Sequence, residues 1–213
     1  MGFAEKFVRQ CRKPQGLLGR FVGRAMNVGH ARVRRWGLGH LSGEFFSVLD
    51  VGCGGGGALR DMASLFSGAK LYGIDYSQDM ALLAKKVDKR LIEKGRIEIT
   101  HGSVSSLPFS EDAFDLVTAF ESYYFWPDLI HDLQEIRRVL KPGGTLLLVN
   151  EVYENNRFRD RNAKWAAWAD MHLHSPAGYR EFLNTAGYGP VEVHEVVKKN
   201  WIVVISKKTE LPQ

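Results

Sequence analysis

The residues of this chain with the clearest chemical pattern lie together in Asp50-Val51-Gly52-Cys53-Gly54-Gly55-Gly56-Gly57. The apolar run SVLDVG (47–52) leads into this loop, and a helical pattern follows it. Glycines at a strand-to-helix turn permit a tight bend and let backbone groups approach a ligand closely. Gly52, Gly54 and Gly57 satisfy G-x-G-x-x-G, a weak signal by itself, and Gly52-x-Gly54-x-Gly56 fits equally well. No Lys-Ser/Thr follows the glycines, so the loop is not a P-loop. Asp75 closes the next apolar run, 23 residues after Gly52, where a carboxylate accepts hydrogen bonds from both hydroxyls of a ribose. This pair suits an adenosine ligand. Asp50 narrows the choice, because it would repel a pyrophosphate but can help hold a cationic amino-acid moiety.

The elements that must position these residues alternate in type. SVLDVG (47–52), KLYGID (70–75), RIEITHG (96–102), FDLVTAFE (114–121) and TLLLVNE (145–151) read as buried strands. Helical spacing appears over Ala58–Phe66, after Ser77 as a cap, and along Leu129, Leu133, Ile136 and Leu140, where Lys141-Pro142-Gly143-Gly144 is expected to stop the helix. Such alternation predicts right-handed βαβ units and a parallel sheet with helices on both faces. The end of the chain breaks the pattern. Ser175-Pro176 opens a helix that Gly187 stops, and VEVHEVV (191–197) and NWIVVISK (200–207) are too close for a crossover. They form a hairpin, so the last strand runs antiparallel to its partner. Residues 2–40 read as broken helix, with Phe3, Phe7 and Cys11 on one face and a second segment from about Gly19 to Leu41.

Composition sets outer limits. The 213 residues, 45% hydrophobic and 25% charged, suit one α/β domain with a small cap. Two cysteines, Cys11 and Cys53, cannot make a disulfide framework, and a cytoplasmic setting is expected. No apolar run is long enough for a membrane span, and Arg20 and Arg24 interrupt the apolar stretch a secretory leader would need, so no membrane partner is expected. The net charge of +5 is unevenly placed: residues 1–40 hold nine bases and one acid, a charge of +8, and the remaining 173 residues sum to −3.

The stretches VLDVGCGGG (48–56), GIDYS (73–77), HGSVSSLPF (101–109), FDLVTAFE (114–121) and LKPGGTLLLVNE (140–151) stand in the order and spacing of the class I S-adenosylmethionine-dependent methyltransferases, which the chain resembles over about residues 45–151. MNVGHARVRRWGLGHL (26–41) and ESYYFWPDL (121–129) resemble a subgroup of small bacterial methyltransferases. The resemblance implies an α/β, doubly wound, Rossmann-like sheet of seven strands in the order 3-2-1-4-5-7-6, with the last strand antiparallel. It would carry an N-terminal helical cap (1–41) on a methyltransferase domain (42–213) with a lid at 152–174. The implied cofactor is S-adenosylmethionine, with S-adenosylhomocysteine as product. By resemblance, Asp50, Gly52, Cys53 and Gly54 lie at the methionine part, Asp75 binds the ribose, and Tyr76 flanks the adenine. Met80 packs near the ring or in the core, Gly102, Ser103 and Val104 follow the adenine edge, and Phe120 borders the methyl donor. The family often has Asp where Ser103 stands.

Methyl transfer from a sulfonium is an in-line displacement in which the protein mainly aligns and desolvates the acceptor, with a base only if the acceptor must lose a proton. Glu121-Ser122-Tyr123-Tyr124-Phe125-Trp126-Pro127 lies at the C-terminal end of strand four, where ligands bind in such sheets. Four consecutive aromatics cannot all face one core, so some are expected to line a pocket. Glu121 is a candidate base or anchor for a cationic acceptor, or a capping carboxylate. Tyr124 and His30 complete the catalytic candidates. No Asp/Asn-Pro-Pro-aromatic motif and no Pro-Cys nucleophile is present. His172-x-His174 has no evident third partner, so no metal is expected. The expected partner is a small-molecule acceptor, with the protein a monomer or homodimer, and the mildly acidic body argues against nucleic acid. Three other readings are an RNA methyltransferase using the basic N-terminus, a cofactor-binding protein without turnover, and a nicotinamide enzyme.

Overall fold

A computed structural model of the chain describes residue 12 and residues 16–209. Phe3, Phe7 and Cys11 lie outside the described residues. Two helices open the described chain, α1 (Gly16–Gly29) and α2 (Ala31–Leu38). Strand and helix then alternate through β1 (Ser47–Val51), α3 (Gly57–Leu65), β2 (Lys70–Asp75), α4 (Gln78–Val87), the short α5 (Lys89–Glu93) and β3 (Ile97–His101). The chain continues through β4 (Phe114–Phe120), α6 (Leu129–Val139), β5 (Leu140–Asn150), α7 (Arg159–Ala169), α8 (Pro176–Thr185), β6 (Glu192–Val196) and β7 (Trp201–Lys207).

The seven strands form one sheet in the order β3-β2-β1-β4-β5-β7-β6, as the resemblance implies. β1 through β5 pair in parallel, and β7 runs antiparallel to both β5 and β6. The reversal has a local cause. Only Val197–Lys199 and Asn200, the latter in the left-handed conformation at φ 60°, connect β6 to β7. That length closes a hairpin and leaves no room for a crossover helix.

Hydrophobic burial divides between the two faces of the sheet. One face packs Leu49, Val117 and Leu148 against α6 and α8 through Leu133, Ile136 and Phe182. The other packs Val48, Leu71, Leu147 and Val203 against α2, α3 and α4 through Val33, Leu59 and Ala84. α2 comes so close to β5 that a Cβ on Gly37 would lie 2.5 Å from the Val149 side chain. The N-terminal helices thus share a core with the sheet.

Three local expectations shift. Helix 19–41 divides at His30, whose N–H donates to the Met26 carbonyl and whose carbonyl accepts from the Arg34 N–H, so each of these bonds ends on His30 itself. α6 ends at Val139, just before Lys141-Pro142-Gly143-Gly144 as expected, but β5 begins at Leu140 rather than at residue 145, with its register against β4 shifting between Phe114 and Leu116 and Gly143 at φ 73°. Lys141 Nζ reaches Asp115 Oδ1 at 2.6 Å, and Gly143 and Gly144 exchange backbone hydrogen bonds with Lys208, which tie this irregular segment to the sheet. Residues 152–174 form a turn and then α7, which buries only Asn162 and Ala169.

Candidate active site

A cavity of about 290 Å³ opens at the C-terminal ends of β1, β2 and β4, below the inward face of α1. This is where a doubly wound sheet places ligands, at the switch of strand order. The glycine loop forms its floor. Gly52, Gly54 and Gly56 all adopt positive φ, at 76°, 52° and 81°, which a Cβ would penalise. Gly52 also has no room for one: a Cβ there would lie 2.6 Å from the Ser122 side chain, whose hydroxyl donates to the Val51 carbonyl at 2.8 Å.

Asp75 stands at the end of β2, 8% exposed and facing the cavity. Its Oδ2 accepts from the Gly54 N–H and its Oδ1 from the Ser77 N–H, each at 2.8 Å. Each oxygen keeps a lone pair, so the carboxylate fits the two hydroxyls of a ribose. Burial raises its pKa, against those two hydrogen bonds. Asp50, at the other end of the loop, is 1% exposed and accepts from the Thr118 hydroxyl at 2.8 Å. Burial pushes its pKa up to about 7, while Thr118 and the charge of Arg34 oppose the rise.

The remaining expected cofactor residues also line this cavity: Cys53, Tyr76, Met80, the segment Gly102-Ser103-Val104, and Phe120. Cys53 does so from the backbone, because its thiol is packed in the core beside Gly73. Met80 is both wall and core, 2% exposed and pressed against Gly23 of α1. The Ser103 hydroxyl accepts from the Ser105 N–H at 3.2 Å.

At the opposite end, Glu121 follows β4 at φ 54° and 7% exposure. The Tyr124 hydroxyl donates to its Oε2 at 2.8 Å, and the Glu151 N–H donates to its Oε1. Burial and the neighbouring Glu151 charge push the Glu121 pKa up to about 8 despite these bonds. This raised pKa favours the protonated carboxyl at neutral pH. Tyr124 does not line the cavity. It is 4% exposed and buried behind Glu121, so its contribution passes through that carboxyl. The four aromatics divide as expected from their number: Tyr123 is core against Tyr179 and Phe182, whereas Phe125 and Trp126 face the cavity.

His30 lines the cavity from the division between α1 and α2, with Nε2 3.9 Å from Glu151 Oε2. Burial and the charge of Arg34 lower its pKa to about 4, so the imidazole is neutral at pH 7.

Two residues that the sequence did not single out tie α1 to the glycine loop. Asn27 Nδ2 donates to the Gly55 carbonyl at 2.8 Å, and its Oδ1 accepts from the Gly57 N–H at 3.3 Å. Gly56, the N-cap of α3, has no side chain to cap the helix, so Asn27 supplies the missing oxygen from another element. Arg34, 5% exposed, donates to the Asn27 carbonyl and to Asp61 Oδ2 of α3. These contacts span 30 residues or fewer but join separate elements, and no local pattern announces them.

Comparison with known proteins agrees with the site. Residues 49–148 match a family model described as a methyltransferase domain. The chain is 37% identical over 113 residues to a demethylmenaquinone methyltransferase of Lactococcus lactis, across 53% of this chain and 44% of the relative. It is 32% identical over 117 residues to a sterol 4-C-methyltransferase of Caenorhabditis elegans, across 55% of this chain and 34% of the relative. The chain thus spans less than half the length of these relatives. Among solved structures, a chain from a complex between the Haloferax volcanii Trm112 methyltransferase activator and a methyltransferase superposes with a TM-score of 0.76 at 21% identity, covering 99% of both chains. Geranyl diphosphate C-methyltransferase of Streptomyces coelicolor, solved with S-adenosyl-L-homocysteine, superposes at 0.72 and 16% identity over 92% of this chain and 86% of its own. With its glycine loop, the carboxylate at the end of β2 and the 3-2-1-4-5-7-6 sheet, the chain is similar to the class I S-adenosylmethionine-dependent methyltransferases.

Proposed function

We propose that this protein transfers a methyl group from S-adenosylmethionine to a small, neutral, largely apolar acceptor. The observation that carries the reading is the continuity of one cavity, from Asp75 and the glycine loop to Glu121, Phe125, Trp126 and His30. When bound, S-adenosylmethionine supplies an electrophilic methyl group that needs an aligned, desolvated acceptor. Asp75 holds the ribose, Asp50 faces the cationic amino-acid part, and Tyr76 with the 102–104 loop borders the adenine. Phe120, Phe125 and Trp126 exclude water from the acceptor end and give it apolar walls.

Of the groups that line that end, neither Glu121 nor His30 carries charge at neutral pH. Glu121 holds its proton, which makes it a hydrogen-bond donor toward an acceptor oxygen. His30 is neutral and can take a proton that the acceptor loses, with Glu151 behind it to stabilise the imidazolium. The relatives named above act on a demethylmenaquinone and a sterol, both in keeping with an apolar acceptor. The test is a screen of small acceptors for S-adenosylhomocysteine production, alongside calorimetric titration with S-adenosylmethionine. Saturable cofactor binding with turnover of neutral apolar acceptors is expected. Turnover confined to cationic or anionic acceptors overturns the acceptor class, and absence of cofactor binding overturns the whole reading.

A further inference from the structure

The inward face of α1 closes the cavity through Gly23, Met26 and Asn27. Its outward face has a different character. Phe21 is 66% exposed and Val28 78% exposed, the two most exposed large hydrophobic residues among those described. They are seven residues apart, on one face of the helix, with exposed Arg24 and Ala25 between them. Arg32 and Arg35 of α2, the next helix, are exposed as well. Arg24 and Arg32 pair with no described carboxylate, and Arg35 Nε lies 3.7 Å from Asp61 while its side chain stays 71% exposed. The first forty residues contain a single acid, Glu5, for nine bases.

We propose that this outward face of α1 and α2 docks on the surface of an anionic phospholipid membrane. Helices that lie in a membrane interface combine basic residues with a few apolar side chains that enter the headgroup region, and they need no spanning length. No described helix is long and apolar enough to cross a membrane, which this mode does not require. Charge complementarity selects the partner: an acid-poor arginine surface is attracted by anionic headgroups and held more weakly as salt rises. Phe21 and Val28 select lipid over RNA, because an aliphatic side chain in the middle of the patch gains nothing from phosphates but gains from acyl chains. The consequence is positional. One helix would rest on the bilayer with its outer face and roof the cavity with its inner face, so that an apolar molecule leaving the bilayer reaches the cavity mouth. The docking does not depend on the proposed acceptor, since it is read without turnover.

The test is flotation of the full chain with vesicles of phosphatidylcholine alone and of phosphatidylcholine mixed with phosphatidylglycerol, with mixed-sequence RNA as a parallel ligand. Binding to the anionic vesicles that weakens with added salt, and little binding to the neutral ones, is expected. The double variant Phe21→Ser/Val28→Ser should bind anionic vesicles at least about tenfold more weakly, with unchanged melting temperature and cofactor affinity. Equal binding to both vesicle types overturns the proposal, as does a double variant that binds like the parent. RNA binding tighter than vesicle binding and untouched by the double variant assigns the arginines to nucleic acid instead and also overturns it.

Discussion

At the cofactor end of the cavity, ligand-facing groups come from the backbone of one loop and from carboxylates at the ends of adjacent strands, Asp50 on β1 and Asp75 on β2. At the acceptor end, Glu121, Glu151 and His30 come from β4, β5 and the α1–α2 division, and each is set by contacts to the others. The first arrangement is rigid because parallel pairing fixes neighbouring strand ends to each other. The second depends on burial, which holds Glu121 protonated and His30 neutral. The same fold therefore offers a hydrogen-bonding end for a polar cofactor and, at the end assigned to the acceptor under the proposed function, a lining Glu121 and His30 whose neutral forms are favoured.

The contrast can be broken at either end. The largest effect is expected for Asp75→Ala, which removes the proposed acceptor of two ribose hydrogen bonds. S-adenosylmethionine affinity should fall by about 100-fold or more in calorimetry, as expected for two charge-assisted bonds. Asp75→Asn, which keeps the side chain's shape beside Gly54 and Ser77, separates loss of the ligand contact from loss of the loop.

Glu121→Gln tests the uncharged end through stability. The folded protein holds the Glu121 proton up to about pH 8, whereas the unfolded chain releases it near the ordinary value of 4.5. Between these values the folded state binds more protons, so stability falls as pH rises through this window. Asp50 and Asp88, both pushed up to about 7 by burial, act in the same direction. Glutamine mimics the neutral carboxyl and removes Glu121's share. Denaturant melts should show a decline shallower by about 1.4 kcal/mol for each pH unit inside that window.

A smaller effect belongs to Asp50. A cationic group bound beside it favours the carboxylate, so cofactor binding near pH 7 should release a proton. Binding heats measured in buffers of different ionisation enthalpy should differ, and affinity should weaken by up to about tenfold per pH unit below 7. Asp50→Asn should abolish both behaviours. The smallest expected effect is that of Asn27→Ala, which leaves the Gly57 N–H without its acceptor. A loss of about 1 kcal/mol in thermal stability is expected, as for a removed helix cap, with cofactor affinity lowered alongside it.

The cofactor end was largely legible because it is local. The Gly52–Gly57 loop and the ends of β1 and β2 follow from short apolar runs and from glycines whose positive φ a side chain would oppose. Strand order and the antiparallel β7 followed from family likeness and from a link too short to cross over. The helix stop at KPGG was legible, but β5 starts earlier than its apolar run because Lys141–Gly144 are tied down by Asp115 and Lys208, residues far away in sequence.

By its own pattern, the sequence determined where a strand must end in a tight glycine turn and where Asp75 must stand, since both depend on neighbours within a few residues. Tertiary structure alone decided that Asn27 accepts from the first N–H of α3 in place of a side chain at Gly56, that the Tyr124 hydroxyl meets Glu121, and that burial raises the Glu121 pKa. The physical reason is that a proton affinity or a borrowed cap is a property of the surroundings, and those surroundings exist only once distant elements have packed together.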